Sequence, residues 1–302
     1  MSACLIVPTH NPGPMWIDWL SLMRQQRYPI SGLVVDSEST DGMELLELPL
    51  GWRRLSIEVK EFSHGGTRNM ALQHLPSNTE LVVFMTQDAL LANSDALPVL
   101  LSAFDDPSIA CAFGRQLPHM DATPIAAHAR LFNYPATSRT LSMADQPQFG
   151  IKTCFFSNSF AAYRLADLLA AGGFPSDVIL GEDMSVAARV LIEGKRVAYV
   201  AEACVSHSHN YTLRQEFCRY FDTGIFHARS SWLLQTFGEA RGEGLRFLLS
   251  EMKYLWRHEP SWLLDATLRT FAKWLGYKLG RHETYLPLRL KRFFSMHKGY
   301  WN

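Results

Sequence analysis

Residues 172–211 carry the side chains of this chain that are best suited to chemistry. Glu182 and Asp183 follow a glycine at the point where a loop turns into a helix, and His207 and His209 follow a short strand-like run further along. A carboxylate can take a proton from a hydroxyl group, and imidazoles are common metal ligands. The pattern therefore indicates a reaction site in this part of the chain.

The composition limits the class of protein. The chain has 302 residues, of which 47% are hydrophobic, and these numbers suit one large α/β unit with an appendage. A formal net charge of zero argues against nucleic acid as a partner. The five cysteines are scattered without CxxC spacing, which is typical of buried free thiols in a reducing compartment. Without a signal-peptide pattern or an apolar run of about 18 residues, we expect a cytoplasmic protein.

The first third of the chain alternates between two kinds of segment. Short apolar runs predict buried strands at 3–7, 32–35, 55–59, 80–85 and 109–113. Helical patterns lie between them at 15–26, 64–75 and 97–104. This alternation predicts a mostly parallel sheet with helices on both faces. Polar clusters at 9–11, 36–41 and 86–88 follow three of the strands, so we expect them to meet at the carboxyl edge, where ligands bind in such sheets.

The later segments are less regular. Prolines interrupt residues 114–150, which we interpret as a long loop over the site. Arg115, Gln116 and His119 within it could face the acceptor, but we assign them no role. A strand is expected at 153–156 and a helix at 165–171. A further helix should run from Glu182 to Leu191, followed by a strand at 196–200. Trp16 and Trp19 are interpreted as core or interface residues, and the alternative is that they stack on a sugar.

The composition changes after residue 211. Residues 212–237 are typical of one long helix, and residues 241–302 contain twelve Lys or Arg and five Asp or Glu among many aromatic residues. We therefore divide the chain into a domain at 1–211 and a helical region at 212–302. Basic amphipathic helices of this kind can lie on a membrane surface, or they can pack on the main domain or on a second copy in a homo-oligomer.

Six motifs in order carry a resemblance to a known family. They are IVPTHN, VVDSESTDG, HGGTRN, TQDA, GGF with GEDM, and HSHNY. Together they resemble the family 2 glycosyltransferases of the GT-A fold, in particular the bacterial rhamnosyltransferases that build O-antigen and related polysaccharides. The resemblance covers about residues 3–211 and leaves out the C-terminal region. It implies a nucleotide-sugar donor and a glycan acceptor, which could be lipid-linked at the inner membrane.

The resemblance implies donor-binding roles for the first two strand ends. Pro8, Thr9 and Asn11 shape the loop after the first strand, and Asp36 with its neighbour Ser37 follows the second. The family's matching aspartate accepts a hydrogen bond from the imide N–H of uracil or thymine, and Asp36 has the right chemistry for this contact.

The HGGTRN motif is a candidate phosphate site. His64, Gly65 and Gly66 open a helix, and bare backbone N–H groups at a helix start favour phosphate. Arg68 could hold phosphate or anchor a carboxylate, and Asn69 completes the motif. The alternative is an ordinary glycine turn followed by a surface arginine.

The TQDA motif is a candidate metal site. Asp88 matches the last aspartate of the family's DxD motif, which holds Mg²⁺ or Mn²⁺ against the donor diphosphate. This chain has Thr86 at the first position and Gln87 between them, so only one carboxylate remains. His207 or His209 could supply a further ligand, because imidazole also binds Mn²⁺. Alternation would put both rings on one face if the strand continued to that point.

The acidic pair is matched by the family's catalytic acids. The resemblance implies that Asp183 is the general base, which takes the proton of the acceptor hydroxyl as this attacks the anomeric carbon. Glu182 would orient Asp183 or the acceptor. The alternative is an acidic pair that only complements a helix dipole.

These observations lead to one hypothesis and one alternative. The hypothesis is an inverting glycosyltransferase that moves L-rhamnose from dTDP-L-rhamnose onto a glycan acceptor in O-antigen-type biosynthesis, with the donor sugar implied by the resemblance. The alternative is a catalytically silent nucleotide-sugar-binding subunit of an assembly complex, which the incomplete metal motif suggests. A dehydrogenase and a nucleotidyltransferase are disfavoured, because the first strand is followed by Pro-Thr-His-Asn and not by a glycine-rich phosphate loop.

Overall fold

A nine-stranded sheet forms the centre of the computed structural model, which describes residues 1–239 and 242–301. The strands are β1 (Ala3–Thr9), β2 (Ser31–Ser37), β3 (Trp52–Ile57), β4 (Leu81–Met85), β5 (Leu90–Leu91), β6 (Ile109–Leu117), β7 (Arg139–Leu141), β8 (Phe160–Arg164) and β9 (Arg196–Ser206). Their order in the sheet is β3-β2-β1-β4-β8-β6-β9-β5, and β7 pairs with β9 outside this path.

Twelve α-helices accompany the sheet in the described residues. They are α1 (Met15–Arg24), α2 (His64–Leu72), α3 (Ala96–Ser102), α4 (Pro124–Asn133), α5 (Gln146–Phe149), α6 (Leu165–Ala170), α7 (Glu182–Ile192), α8 (Leu213–Arg229), α9 (Ser231–Phe237), α10 (Glu243–His258), α11 (Leu263–Arg281) and α12 (Leu288–Phe294). No helix in the described ranges is both long enough and apolar enough to cross a membrane.

The predicted α/β architecture is confirmed, but the sheet is mixed. Strands β1 to β4 pair in parallel, and β6 pairs in parallel with β9. Strand β8 is antiparallel to both of its neighbours, β4 and β6. The reason is that β8 begins where β4 ends, with Phe160 opposite Met85. The loop before β8 therefore lies at the same edge as the carboxyl ends of the parallel strands.

Two apolar layers cover the two faces of the sheet. Alternation along the strands sends Ile6 and Phe84 into one layer and Leu5 and Val83 into the other, and all four are fully buried. The second layer includes Trp16 and Trp19 of α1, whose rings stack at 4.6 Å. The interpretation of these tryptophans as core residues is confirmed.

Three sequence-based assignments were wrong. The expected loop at 114–150 contains the end of β6 and the elements α4, β7 and α5, because Pro124 occupies the first turn of α4 after a Thr123 cap and so starts a helix. The expected strand at 153–156 falls on a 3₁₀ turn and the segment after it, and the strand comes later as β8. The expected single helix at 212–237 is divided into α8 and α9 at Ser230.

Helices α8 and α9 pack on the same core as the sheet. Phe221, Ile225 and Phe226 of α8 and Leu233 and Phe237 of α9 belong to the larger apolar layer. The chain on both sides of the expected boundary at residue 211 thus shares one core. The division into two domains stays a prediction from composition.

Helix α11 crosses α8 with backbone against backbone. A β-carbon on Gly276 would lie 2.3 Å from the Phe217 carbonyl oxygen, and one on Gly280 would lie 2.0 Å from that of Phe221. On α8, a β-carbon on Gly224 would lie 2.4 Å from the Tyr277 carbonyl oxygen. These three glycines fix the distance between the two helices.

We predict that Gly276→Ala destabilises the protein, because the added methyl group forces α11 away from α8. Overpacking of this kind costs about 1–3 kcal/mol, and the midpoint of urea unfolding measures it. Gly244→Ala on α10 is the matched control, since nothing lies within 4 Å of a β-carbon there. The control should be neutral or stabilising, as alanine favours helix. Equal midpoints for the two variants would contradict this account of the crossing.

Candidate active site

Strand pairing brings Asp88 to the two histidines. The end of β9 lies between β5 and β6, with Ser206 opposite Leu90 on one side and next to Leu117 on the other. Asp88 precedes β5, and His207 follows β9 directly. His207 Nε2 lies 3.4 Å from Asp88 Oδ1, and His209 Nε2 lies 3.8 Å from Asp88 Oδ2.

We call these three residues the metal cluster, because together they could hold a metal ion. One ligand atom from each lies within 4.8 Å of the others. The two imidazole rings are 4.7 Å apart. Strand alternation would align the histidines only if the strand continued to them, and it does not, because β9 ends at Ser206. The rings nevertheless meet beside Asp88, beyond the end of the strand.

The tautomer of His207 is fixed by its neighbours. Gln116, at the end of β6, accepts a hydrogen bond from Arg130 Nη1 at 2.9 Å through its Oε1 atom. The same oxygen lies 2.9 Å from His207 Nδ1, so Nδ1 must be the donor. The Nε2 lone pair then faces Asp88. Ligand histidines in metal sites commonly have this arrangement, so the residues present fit a divalent ion.

The charges in the cluster also suit a cation. Burial raises the pKa of Asp88, but at the acidic pH where this carboxyl titrates, hydrogen bonding and attraction to the protonated form of His207 outweigh burial and hold the pKa well below the usual range. Burial lowers the pKa of His207, and burial together with His207 lowers the pKa of His209 to about 4. At neutral pH the cluster therefore presents one carboxylate and two neutral imidazoles.

Helix α7 presents the acidic pair at its first turn. Gly181 before it has a φ of +78°, and a β-carbon there would lie 2.6 Å from the ring of Phe226. Both conditions favour glycine. The tight turn places Glu182 and Asp183 at the start of the helix, as the sequence predicted.

Arg68 anchors a carboxylate, which was one of the two roles that the sequence left open. Its Nη1 atom lies 2.7 Å from Glu182 Oε1, and both side chains are buried. Burial raises the pKa of Glu182, but the Arg68 guanidinium outweighs this effect and lowers it. Glu182 is thus a charged residue held in place by helix α2.

Asp183 occupies a different environment. Its Oδ2 accepts the Asn158 backbone N–H at 3.0 Å, and its Oδ1 accepts that of Met184 at 2.7 Å. Burial and the neighbouring Glu182 carboxylate raise the pKa of Asp183 to about 7. A carboxyl group with this pKa can accept a proton near neutral pH.

The metal cluster and the acidic pair line one cavity of about 390 Å³. Seven residues singled out in the sequence contribute to its wall, and these are His64, Arg68, Asp88, Glu182, Asp183, His207 and His209. This volume is within the range of small-molecule sites.

The first two strand ends form a separate hydrogen-bonded group. Thr9 Oγ1 donates to Asp36 Oδ1 at 2.9 Å, and the backbone N–H of Ser39 donates to Asp36 Oδ2 at 3.0 Å. The Asn11 backbone N–H donates to Ser39 Oγ at 2.8 Å. Asn11 and Glu38 have φ angles of 42° and 50°, which are unusual for residues other than glycine. The expected cluster therefore forms at β1 and β2, and Pro8 and Ser37 are part of these strands.

Gln87 connects this group to the metal cluster. Its side chain accepts the His10 backbone N–H at 2.8 Å and donates to the His10 carbonyl at 3.1 Å. Gln87 therefore braces the loop after β1, next to Asp88 in the chain.

Gly65, Gly66 and Asn69 make packing contacts and do not line the cavity. A β-carbon on Gly65 would lie 1.9 Å from the Pro175 carbonyl oxygen, and the Gly66 N–H is taken by Ser63 Oγ at 3.1 Å. Asn69 Nδ2 donates to the Phe174 carbonyl at 2.7 Å, and its Oδ1 accepts the Phe174 N–H at 2.9 Å. These residues attach α2 to the loop before α7.

Sequence reasoning gave no role to three further residues near the site. Gln116 orients His207, and Arg130 and Arg219 both line the cavity. Arg130 bonds Gln116, and Arg219 lies over the ring of Tyr211 at 5.6 Å. Within 1–239 and 242–301, neither arginine forms an ion pair with a carboxylate. The helical pattern around Arg130 after a Thr-Pro start was the available signal.

The fold and the site define a glycosyltransferase that uses an activated sugar. The sequence pattern of glycosyl transferase family 2 matches residues 4–169. The chain is 51% identical to the O-antigen chain rhamnosyltransferase RfbN of Salmonella typhimurium and 50% identical to WbaN of Salmonella anatum. Each alignment covers 100% of this chain and 96% of the relative. This chain belongs to glycosyltransferase family 2, so the resemblance seen in its motifs is confirmed.

Solved structures support the GT-A fold. A mannosyltransferase from Pyrobaculum calidifontis, in complex with GDP-mannose and Mn²⁺, matches with a TM-score of 0.58 and 21% identity, over 97% of this chain and 84% of its own. TarS residues 1–349 of S. aureus, in complex with UDP-GlcNAc, match with a TM-score of 0.54 and 14% identity, over 95% and 93%. At these identities the likeness concerns the fold alone.

We predict that Gln116→Leu weakens Mn²⁺ binding by about 10- to 100-fold, as removal of a ligand-orienting residue usually does. The substitution takes away the acceptor of His207 Nδ1, so the ring loses its fixed orientation. Titration followed by electron paramagnetic resonance measures free Mn²⁺. Gln25→Leu, at the exposed residue that follows α1, is the control and should leave binding unchanged. Unchanged affinity in Gln116→Leu, with circular dichroism like that of the parent, would contradict the role of Gln116.

Proposed function

We propose that this glycosyltransferase moves L-rhamnose from dTDP-L-rhamnose onto a glycan acceptor in O-antigen biosynthesis. The two relatives with about half of their residues identical are named as O-antigen chain rhamnosyltransferases. The observation that carries the mechanism is that Asp183 and the cluster of Asp88, His207 and His209 line the same cavity. A base and a site for the leaving diphosphate are what a single displacement at the anomeric carbon requires.

The nucleotide base is proposed to bind at the ends of β1 and β2. Asp36 Oδ2 accepts one hydrogen bond inside the protein and can accept a second from the imide N–H of thymine. The hydroxyl of Ser37 is buried and has no hydrogen-bond partner within the described residues. A ligand contact would satisfy it. Pro8, Thr9 and Asn11 shape the loop around this position.

The diphosphate is proposed to bind beside the metal cluster. Asp88, His207 and His209 would hold Mg²⁺ or Mn²⁺, which supplies positive charge to the leaving group when bound. Arg130 and Arg219 line the same cavity without carboxylate partners in the part of the chain described. These cations would compensate for the single carboxylate of the TQDA motif.

Asp183 is proposed as the general base. The acceptor hydroxyl oxygen forms a bond to the anomeric carbon while the bond from that carbon to the phosphate oxygen breaks. The electron pair of the broken bond leaves with the diphosphate, and the hydroxyl proton passes to the Asp183 carboxylate. One displacement inverts the configuration at the anomeric carbon. Glu182, charged and fixed by Arg68, keeps Asp183 a strong enough base.

We predict that Asp183→Asn lowers kcat for rhamnosyl transfer by about 100- to 10,000-fold, because the amide cannot accept the proton. Donor binding should persist, since Asp183 acts on the hydroxyl group of the acceptor and not on the donor. The measurements are radiolabelled transfer from dTDP-L-rhamnose and the rise in melting temperature that the donor causes.

A panel of UDP-, GDP- and dTDP-sugars serves as the control for donor identity. Only dTDP-L-rhamnose should both raise the melting temperature and be turned over. Equal transfer rates in Asp183→Asn and the parent would remove Asp183 from the mechanism. Donor binding by the parent without turnover, in the presence of Mn²⁺ and a cell-wall glycan fraction, would favour the silent subunit.

We predict that transfer depends on pH through Asp183. The base acts when deprotonated and its pKa is about 7, so kcat/KM should rise with pH up to about 7 and then level. Glu182→Gln removes a charge that raises this pKa, so the acidic limb of the profile should move to lower pH. Profiles between pH 5 and 9 measure the shift. Glu193→Gln, beyond the far end of α7, is the control; a limb that stays in place in Glu182→Gln would contradict the assignment.

The C-terminal helices are proposed to contact an anionic membrane at the cytoplasmic face. Large apolar side chains are exposed along α10 and α11, among them Trp256, Phe271 and Trp274. Residues 241–302 also carry an excess of basic residues. Exposed aromatic rings with basic neighbours suit a surface of anionic lipid.

We predict that the double variant Trp256→Glu, Trp274→Glu loses most binding to vesicles of phosphatidylglycerol, because it places two anions on this surface. Sedimentation of protein with vesicles measures the bound fraction. Leu50→Glu is the control, since Leu50 is fully exposed far from these helices in the chain. A parent that forms dimers in ultracentrifugation and ignores vesicles would show that a second copy covers the surface instead.

A further inference from the structure

A segment near the C-terminus reaches the catalytic cavity. Residues 295–301 follow α12, and we call them the C-terminal segment. His297 in this segment lines the same cavity as His64 and Asp183. None of the six family-like motifs in the sequence includes this residue. The cavity therefore contains a side chain that the motifs do not account for.

The C-terminal segment is held in place on both sides of His297. Asp222 of α8 is buried, and its Oδ2 atom accepts the backbone N–H groups of residues 296 and 297 at 2.9 and 3.4 Å. Tyr300 Oη donates to the carbonyl of Asp177, in the loop before α7, at 2.9 Å. Trp301 is buried in the larger apolar layer. The imidazole of His297 is thus preorganised at the cavity wall.

The imidazole of His297 has hydrogen-bonding capacity to spare. Its ring packs edge to face on that of His64 at 5.1 Å, and it is half-buried. Within residues 1–239 and 242–301, neither of its ring nitrogens has a hydrogen-bond partner, because the contacts of this residue involve its backbone N–H. Buried polar groups usually have partners, so a ligand that filled the cavity would have reason to bond this ring.

The charge of His297 indicates which kind of ligand it suits. Burial lowers the pKa of His297 to about 4, and the neighbouring His64 adds to this effect. At neutral pH the ring is therefore uncharged, with one N–H donor and one lone pair. A hydroxyl group, which also donates and accepts, complements such a ring better than a phosphate does.

The position of His297 indicates whose hydroxyl group it meets. In the proposed reaction the diphosphate lies at the metal cluster, and Asp183 serves the attacking hydroxyl group. The sugar whose anomeric carbon is attacked must then lie between the two. His297 lines this space but not the neighbouring cavity between α4, α10 and α11. The transferred sugar is therefore the favoured ligand of the ring.

We propose that His297 recognises the sugar being transferred, through a hydrogen bond between its imidazole and a hydroxyl group of the donor's deoxyhexose ring. The proposal rests on the proposed function, because it needs an activated sugar in this cavity. It makes the C-terminal segment part of donor recognition, which is a role separate from membrane contact by α10 and α11.

His297→Phe tests the proposal, because phenylalanine keeps a ring against His64 and removes both nitrogens. The probes are dTDP-L-rhamnose and dTDP, titrated in a calorimeter with Mn²⁺ present and no acceptor. The affinity for dTDP-L-rhamnose should fall about 2- to 10-fold, as expected for the loss of one hydrogen bond. The affinity for dTDP should stay unchanged, since dTDP lacks the sugar.

Two further variants separate the hydrogen bond from packing. His297→Gln retains a donor and an acceptor, so its affinity for dTDP-L-rhamnose should lie closer to that of the parent than His297→Phe does. His282→Phe removes an exposed imidazole outside the cavity and should leave both affinities unchanged. Melting temperature and dTDP affinity report the fold of each variant.

The outcomes separate this proposal from the proposed function. Unchanged affinity for dTDP-L-rhamnose in His297→Phe, or an equal loss for dTDP, overturns the role of His297. A rise in KM for the glycan acceptor alone also overturns it and assigns the ring to the acceptor. If the donor panel instead selects another nucleotide sugar, the proposed donor fails, and that sugar and its nucleoside diphosphate replace the two probes in the same test of His297.

Discussion

The buried ion pair between Arg68 and Glu182 is the interaction on which the site depends. The ion pair places the charged Glu182 carboxylate beside Asp183. Without Arg68 the buried Glu182 would be neutral, because desolvation opposes an unpaired buried charge. Gly65 and Asn69 support the pair by attaching α2 to the loop before α7. The HGGTRN motif thus holds the acidic pair in place, and its two glycines, in the first turn of α2, serve close packing.

The sequence was most informative where one pattern governed a segment. Strands β1, β2, β4 and β6 were predicted because continuous apolar runs end at polar loops. The region around α4 failed because its prolines were interpreted as breaks, although a proline in the first turn favours a helix. The antiparallel direction of β8 depends on where its preceding loop crosses the sheet, and no local pattern records that.

The sequence predicted the acidic residues and the histidines of the candidate site better than the residues that orient them. Asp88 and Asp183 stood out because the TQDA and GEDM motifs, at a strand end and at a helix start, resemble those of the family. Gln116 reaches His207 only through the pairing of β6 with β9, and Arg130 of α4 acts through its hydrogen bond to Gln116. The role of Arg68 was open for the same reason, since its partner lies 114 residues away.

The backbone contact between α8 and α11 has a consequence for regioselectivity. Side chains between two helices can repack and let them slide, but carbonyl groups against glycine allow little relative movement. Helix α8, which lines the catalytic cavity through Arg219, is then held at a constant separation from α11. Because one wall of the catalytic cavity is fixed in this way, the position of a hydroxyl group on the acceptor ring, more than its intrinsic reactivity, would decide which linkage is made.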